Sequence, residues 1–509
     1  VTPLETLARY PAHDGTVAGL LASRAVVDPA RPFLLFGATT WSWAGFMAAV
    51  ERAAAGLAAR GIGAGDRVAL LAPSCDAALV LFCAAARLGA VFVPINPDAT
   101  VDEARYVLGH AEPAAVAATP ATSAVAQAAG ARGLFALDDL GGDGPVPPAR
   151  GRADDVCAIL YTSGTTGFPK GVMHVQRSWV LAGEGFVERL HLQPDDRLLC
   201  ILPLFHINAL FYSFGGAVAA GASLVVAPRF SASGFWKLAA ASGATCVNLI
   251  AAVGSILARR PRSEYVAGHR LRKIYGAATP PEVAALFQRE LGATHVIEGY
   301  GMTEIPGACN VAFDGPHKPG SIGRAARHPD PRVRFAELRI DGDADEGELL
   351  VRTPIAMTGY WRDPEATAAA FTDGWFATGD LVRRDADGDL FFVARQKDVI
   401  RRRGENVSGA ELDRVLGAHP GVAEAAAIPV PSELGEDEIL AAVVARPGAA
   451  VSAADLRAWC AARLAPAKLP RYVAFVDELP HTPTHRVAKF KLRQEPGLLL
   501  RAVDLEGGR

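Results

Sequence analysis

Along the first part of the chain, apolar runs alternate with amphipathic stretches, and the pattern predicts strands and helices in turn. Val68-Ala69-Leu70-Leu71 is a short apolar run that stops before Pro73. A helical pattern follows, with Leu79, Phe82, Cys83 and Ala86 on one face and Gly89 at its end. Val91-Phe92-Val93 then reads as a second strand, closed by Pro94. Strand, helix and strand in that order make a βαβ unit, which implies a parallel sheet covered by helices. The longest apolar stretch, Leu198 to Pro228, is broken by Pro203, His206 and Gly215-Gly216. A spanning helix needs about 20 cleaner residues, so the stretch predicts a buried strand plus a core helix in a soluble protein.

Gly141 to Gly151 is a Pro/Gly-rich connection and reads as a subdomain junction. A second boundary is expected near residue 396. Leu390-Phe391-Phe392-Val393 reads as a strand before it, and Arg401-Arg402-Arg403-Gly404 as a charged, flexible run after it. Beyond lie a strand-like Glu438 to Val444, a helical Ala453 to Leu464 and a strand-like Tyr472 to Val476, enough for a small α+β domain. The expected architecture is α/β: a large N-terminal domain with parallel-sheet subdomains over 1–396, and a small mobile C-terminal α+β domain over 397–509. No internal repeat or coiled-coil heptad is visible.

Length supports that division, because 509 residues exceed what one hydrophobic core usually organises. Half the residues are apolar and 21% are charged, an ordinary globular composition. A net charge of -3 gives no electrostatic reason to expect nucleic acid or an anionic membrane as partner. The seven cysteines are scattered and never form CxxC, which reads as buried free thiols rather than a disulfide framework or zinc site. Val1-Thr2-Pro3-Leu4-Glu5 lacks the basic-then-apolar pattern of a secretion signal. Together these features predict a cytoplasmic protein.

The strongest chemical signal is Tyr161-Thr162-Ser163-Gly164-Thr165-Thr166-Gly167-Phe168-Pro169-Lys170-Gly171, which leaves the end of the apolar run Val156 to Leu160. Its glycines permit positive φ and close backbone approach. Its hydroxyls and backbone N–H groups can surround a phosphate, and Lys170 adds a point charge. The spacing is not that of the Walker loop, since no Gly-Lys-Ser/Thr opens a helix. A plain Gly/Thr-rich surface turn is the bland alternative, disfavoured by ten such residues in this order.

This loop resembles the signature of the adenylate-forming superfamily, which includes acyl-CoA synthetases, peptide-synthetase adenylation domains and firefly luciferase. Further motifs resembling that family follow in order over nearly the whole chain. Glu298-Gly299-Tyr300-Gly301-Met302-Thr303-Glu304 is similar to the second nucleotide motif. The resemblance implies Tyr300 near the adenine, Thr303 at the α-phosphate and Glu304 on Mg²⁺, for which a carboxylate is the right hard donor. Trp375 to Asp380 resembles the ribose-binding segment, and Asp380 would accept from the ribose hydroxyls. Arg395-Gln396-Lys397-Asp398 resembles the hinge: Lys397 matches the pivot between two half-reactions and Arg395 a second ribose contact. Ala394 replaces the usual glycine before it.

Gly404-Glu405-Asn406-Val407-Ser408 follows the pattern of CoA ligases, where this loop faces the pantetheine channel. Arg403, Gly404 and Glu405 are the CoA-binding candidates, with Arg401 and Arg402 as further candidates for a CoA phosphate; a solvated charge run is the alternative. Pro203-Leu204-Phe205-His206 resembles the motif at the acyl pocket, with His206 near the reacting carboxylate. Amino-acid-activating relatives carry aspartate at that place, which argues against an amino acid substrate. Tyr275-Gly276-Ala277-Ala278-Thr279 resembles a wall shared by nucleotide and acyl sites. With Ile207, Ala209, Val247 and Gly301, its small residues predict room for a bulky, hydrophobic, even cyclic acid.

One departure matters. Where such enzymes have LPxTxxGK, this chain reads Leu479-Pro480-His481-Thr482-Pro483-Thr484-His485-Arg486, with the register held by Lys489-Phe490-Lys491-Leu492-Arg493. Arg486 stands at the lysine that bridges carboxylate and α-phosphate in the first half-reaction. A planar fork does not replace a point charge conservatively. The expectation is impaired adenylation with thioesterification retained, the adenylate coming from a partner ligase. The alternatives are a complete ATP- and Mg²⁺-dependent two-step ligase, an adenylation enzyme loading a carrier protein, and a non-catalytic adenylate sensor.

Overall fold

The computed structural model describes residues 1–162, 169–343, 345–402, 405–431, 437–464, 466–481 and 487–506. The chain divides into two compact units, 1–338 with 351–376 and 339–350 with 377–509.

In the first unit the predicted βαβ is present: strands Arg67–Leu71 and Val91–Ile95 pair in parallel and flank helix Asp76–Leu88. Gly89 ends that helix at φ +75, a left-handed cap that costs glycine little. Pro94 does not close the second strand but sits inside it, opposite Leu70. On the strand's other side only Phe92 registers with Ala158, so little hydrogen bonding is lost to the missing N–H. The helix is apolar nearly all round and buried along its length, and it touches strands of two different sheets, which is why it carries no polar face.

One sheet runs Gly359–Tyr360, Lys170–Val175, Val156–Thr162, Val91–Ile95, Arg67–Leu71, Ala115–Ala118, Leu134–Ala136. The other contains, as parallel neighbours, His295–Tyr300, Lys273–Ala277, Cys246–Ile250, Arg197–Cys200, Ser223–Val226 and Pro32–Phe36. The Gly141–Gly151 connection is therefore not a subdomain junction: it joins Leu134–Ala136 to Val156–Thr162, two strands of one sheet. The long apolar stretch resolves into strand Arg197–Cys200, a π-helical turn Asn208–Phe214 running into helix Gly215–Ala220, and strand Ser223–Val226.

The second unit holds the hairpin that pairs Asp380 to Arg384 with Leu390 to Arg395, the hairpin Val399–Arg402 with Glu405–Ser408, and a sheet ordered Val422–Pro431, Asp437–Ala445, Tyr472–Phe475, Val503–Asp504. Helices Gly409–Gly417 and Ala453–Ala461 complete it as α+β. Six of the seven cysteines are buried and Cys75 is half-buried, all as free thiols. Among the described residues no helix is long and apolar enough to cross a membrane.

Candidate active site

Lys273–Ala277 and His295–Tyr300 lie side by side in parallel, Gly276 opposite Glu298 and Ala277 opposite Gly299. Their carboxyl ends release the segments Ala278–Pro280 and Gly301–Gly307, the end of a parallel sheet where ligands usually bind. A Cβ on Gly276 would stand 2.1 Å from Thr279 Oγ1 and 2.9 Å from Glu298 Oε2, so a side chain there would displace both groups. Ala278 holds φ +58 without being glycine, a strained conformation of the kind that clusters at functional sites. Glu298 accepts from the Thr279 N–H at 3.2 and 3.1 Å, and burial pushes its carboxyl up to about 7. Gly299 packs on the Tyr275 ring. Past Tyr300 the chain turns back on itself, with Gly301 against the Gly307 N–H, while Met302 and Ile305 exchange backbone hydrogen bonds.

Against this loop stands the strand that follows the phosphate segment. Thr162 pairs with Lys170, and alternation puts Lys170, Val172 and His174 on one face. His174, fully buried and pushed down to about 4, stays neutral and donates from Nε2 to the Thr303 carbonyl at 2.7 Å. Tyr360, paired opposite Val172, donates to Glu304 Oε1 at 2.9 Å, and Lys170 Nζ lies 4.8 Å over its ring. Met357 N–H donates to the Glu304 carbonyl at 2.7 Å. Thr162, Lys170, Thr303 and Glu304 are thus gathered from segments far apart in sequence. Tyr360 and His174 were not among the predicted site residues. The available signal was that a carboxylate aimed at a cation needs a donor to orient it.

His206 is half-exposed in a turn closed by its N–H on the Pro203 carbonyl, with Phe205 stacked obliquely at 4.1 Å. Ile207 is half-exposed beside it. Ala209 and Val247, expected to line the acyl space, are 0% and 1% exposed and belong to the packed core. Strand alternation explains Val247: its neighbour Asn248 takes the face toward the π-helical turn, bonding Asn208 and Ser213.

In the second unit Asp380 stands opposite Arg395, with the guanidinium Nε 3.1 Å from Oδ1. Glu348 braces the same hairpin, accepting from Gly379 N–H at 2.7 Å and Gln396 Nε2 at 3.2 Å. Lys397 lies in the short turn Gln396–Asp398, and Asp398 pairs with Arg493 at 2.6 Å. Glu405 opens the strand Glu405–Ser408. Arg402 is not a CoA contact: it is 1% exposed, 2.6 Å from Glu438 and 3.1 Å from Glu506, and donates to the Leu469 carbonyl. Ser163, Gly164, Thr165, Thr166, Gly167, Arg403, Gly404 and Arg486 lie outside the described residues.

Residues 21–361 match the AMP-binding enzyme family and residues 411–486 the AMP-binding enzyme C-terminal domain. The chain belongs to this family of adenylate-forming enzymes. It is 36% identical to sulfoacetate–CoA ligase of Cupriavidus necator, over 94% of this chain and 97% of that one. It is 33% identical to a long-chain-fatty-acid–CoA ligase of Mycobacterium tuberculosis, over 94% and 98%. Among solved structures, ATP-bound MatB from Rhodopseudomonas palustris matches with TM-score 0.81 and 31% identity, over 94% and 98%. The O-succinylbenzoate CoA synthetase of Bacillus subtilis with ATP and magnesium ion matches with TM-score 0.82 and 25% identity, over 94% and 99%.

The protein is an AMP-forming acyl-CoA ligase acting on a carboxylic acid, with ATP, CoA and Mg²⁺. The Glu304 carboxylate, oriented by Tyr360 on the Lys170 side of the site, is a donor that fits Mg²⁺. Bound there, the ion would supply charge neutralisation at ATP phosphate oxygens.

Proposed function

We propose that this ligase is specialised for the second half of the reaction. In the first half a carboxylate oxygen attacks the α-phosphorus of ATP, forming acyl-AMP and releasing pyrophosphate. In the second the CoA thiol attacks the acyl carbonyl, forming the thioester, and AMP leaves with the bonding pair. The observation that carries the reading is Arg486, after His485, at the lysine position of an otherwise in-register terminal motif. The flanks support that register: Ala488 N–H bonds the Pro480 carbonyl at 2.6 Å, His481 bridges Val487, and helix Lys489–Gln494 begins at once. Removing an aimed charge of this kind costs about 10²–10³ in rate, whereas thiol attack on a preformed adenylate makes no use of it. The adenylate would then come from a partner ligase.

Within this reading Thr162 to Lys170, Gly276 to Ala278, Gly299 to Thr303, Asp380 and Arg395 bind the nucleotide. His206 meets the carboxylate, and Arg403 to Glu405 face CoA. Lys397 is the pivot between a moving part, 397–509, and the rest, 1–396. The acid is bulky and hydrophobic, supported by Gly276, Ala277, Ala278 and half-exposed Ile207. Equal or better turnover of acetate than of ring-bearing acids would sink that assignment.

The test offers CoA and a panel of ring-bearing acids, each as free acid with MgATP and as synthetic acyl-AMP. Thioester from the adenylates alone supports the separation of half-reactions. Similar rates from both overturn it in favour of a complete two-step ligase. Arg486→Lys should raise adenylation about 10²–10³-fold and leave thioesterification unchanged; no gain refutes the role given to Arg486.

A further inference from the structure

Beside the residues named above lies a polar network in an apolar setting. Asn248 is 2% exposed in strand Cys246–Ile250, between Val247 and Leu249 at 1% each. A buried amide is tolerated only when it is hydrogen-bonded. Its Nδ2 donates to Asn208 Oδ1 at 2.8 Å and to Ser213 Oγ at 3.0 Å. Asn208 and Ser213 both belong to the π-helical turn Asn208–Phe214, which begins two residues after His206. Such turns are frequent at functional sites.

The network fixes which way the amides face. Asn208 Oδ1 and Ser213 Oγ both accept from Asn248 Nδ2, so both Asn248 N–H groups are used. Asn208 Oδ1 is thereby held inward as an acceptor, so the Asn208 N–H groups point the other way. Asn208 is half-exposed, and its Nδ2 makes no bond among the described residues. The same strand places Asn248 opposite Tyr275 and Leu249 opposite Gly276. Phe211 of the turn meets His174, which holds the Thr303 carbonyl. The network is thus packed into the first unit's site, on the His206 side.

We propose that Asn208 is a specificity-determining residue, whose N–H groups, held outward by Asn248, select an acid bearing an oxygen acceptor on its acyl portion. The inference rests on the reading that the acid lies beside His206, and it deepens the substrate class from bulky and hydrophobic to bulky with one acceptor oxygen. A tie between turn and sheet alone would need Asn208 Oδ1 but would leave substrate choice untouched.

The experiment compares matched acids, cyclohexanecarboxylate and its 2-, 3- and 4-oxo derivatives, each as synthetic acyl-AMP and as free acid with MgATP. The readout is kcat/KM for CoA thioester formation. The parent enzyme should prefer at least one oxo acid about 10-fold, the worth of one well-placed hydrogen bond. Asn208→Leu should erase that preference. Asn208→Asp keeps the acceptor that Asn248 needs but offers no N–H, and should reverse it, with melting temperatures confirming that both variants fold. No oxo preference at any ring position in the parent overturns the proposal, as does a preference that survives both substitutions. No thioester from any acid or adenylate overturns instead the ligase reading beneath it, and the proposal with it.

Discussion

Glu298→Gln should make the protein more stable at pH 8 and leave it nearly unchanged at pH 4.5. Burial raises the Glu298 carboxyl from 4.5 to about 7 in the folded chain, while the unfolded chain keeps the ordinary value. Between those two values the folded state holds a proton that the unfolded state has released, so stability falls as pH rises. Above about pH 7 the full difference is felt, up to about 3 kcal/mol at 1.36 kcal/mol per pH unit, less the share relieved where water reaches the half-buried side chain. Glutamine is neutral at every pH and keeps an oxygen for the Thr279 N–H. His174 tilts the curve the other way: its value is lowered from 6.5 to about 4, so it contributes stability that is lost as pH falls through that window. The readout is therefore the difference between variant and parent, in which His174 cancels. Denaturant midpoints at half-unit steps from pH 4.5 to 8 give that difference directly. Parallel curves, or a variant less stable than its parent at pH 8, would refute the assignment of a raised carboxyl to burial.

Three other substitutions test the site and its frame. Tyr360→Phe removes the hydrogen bond to Glu304 and should raise the Mg²⁺ and MgATP concentrations needed for half-maximal adenylation about 10- to 100-fold; thioesterification from synthetic adenylate should not change. Gly299→Ala would set a Cβ 2.1 Å from the Tyr275 hydroxyl and should cost about 1–3 kcal/mol in thermal or urea unfolding, with partial rescue by Tyr275→Phe. Arg402→Ala removes the buried cation between Glu438 and Glu506, leaving Arg457 and Arg471 as their remaining cations, and should lower the melting temperature of the second unit, a loss of about 3–5 kcal/mol. A raised KM for CoA with unchanged stability would show instead that Arg402 serves the substrate.

The family was legible in sequence because each motif is local. Thr162 to Lys170, Tyr300 to Glu304 and Trp375 to Asp380 each carry the family resemblance within a few consecutive residues. The βαβ pattern at residues 67–95 was legible for a related reason: strand and helix periodicities are properties of neighbours along the chain. Tertiary structure alone decided which distant residues complete the site. Tyr360 reaches Glu304 across 56 positions and His174 reaches Thr303 across 129. Neither pairing leaves a trace in spacing, because it depends on how two sheets are packed. The same holds for burial. Arg402 lies in a charged run that reads as a CoA-phosphate contact or a solvated face, yet the fold closes it between Glu438, Glu506 and the Leu469 carbonyl. Val247 reads as a lining residue, yet strand alternation gives Asn248 the face toward the π-helical turn and sends Val247 into the core. Composition tells what a side chain can do; only the packed surroundings set the partners and the dielectric in which it does it.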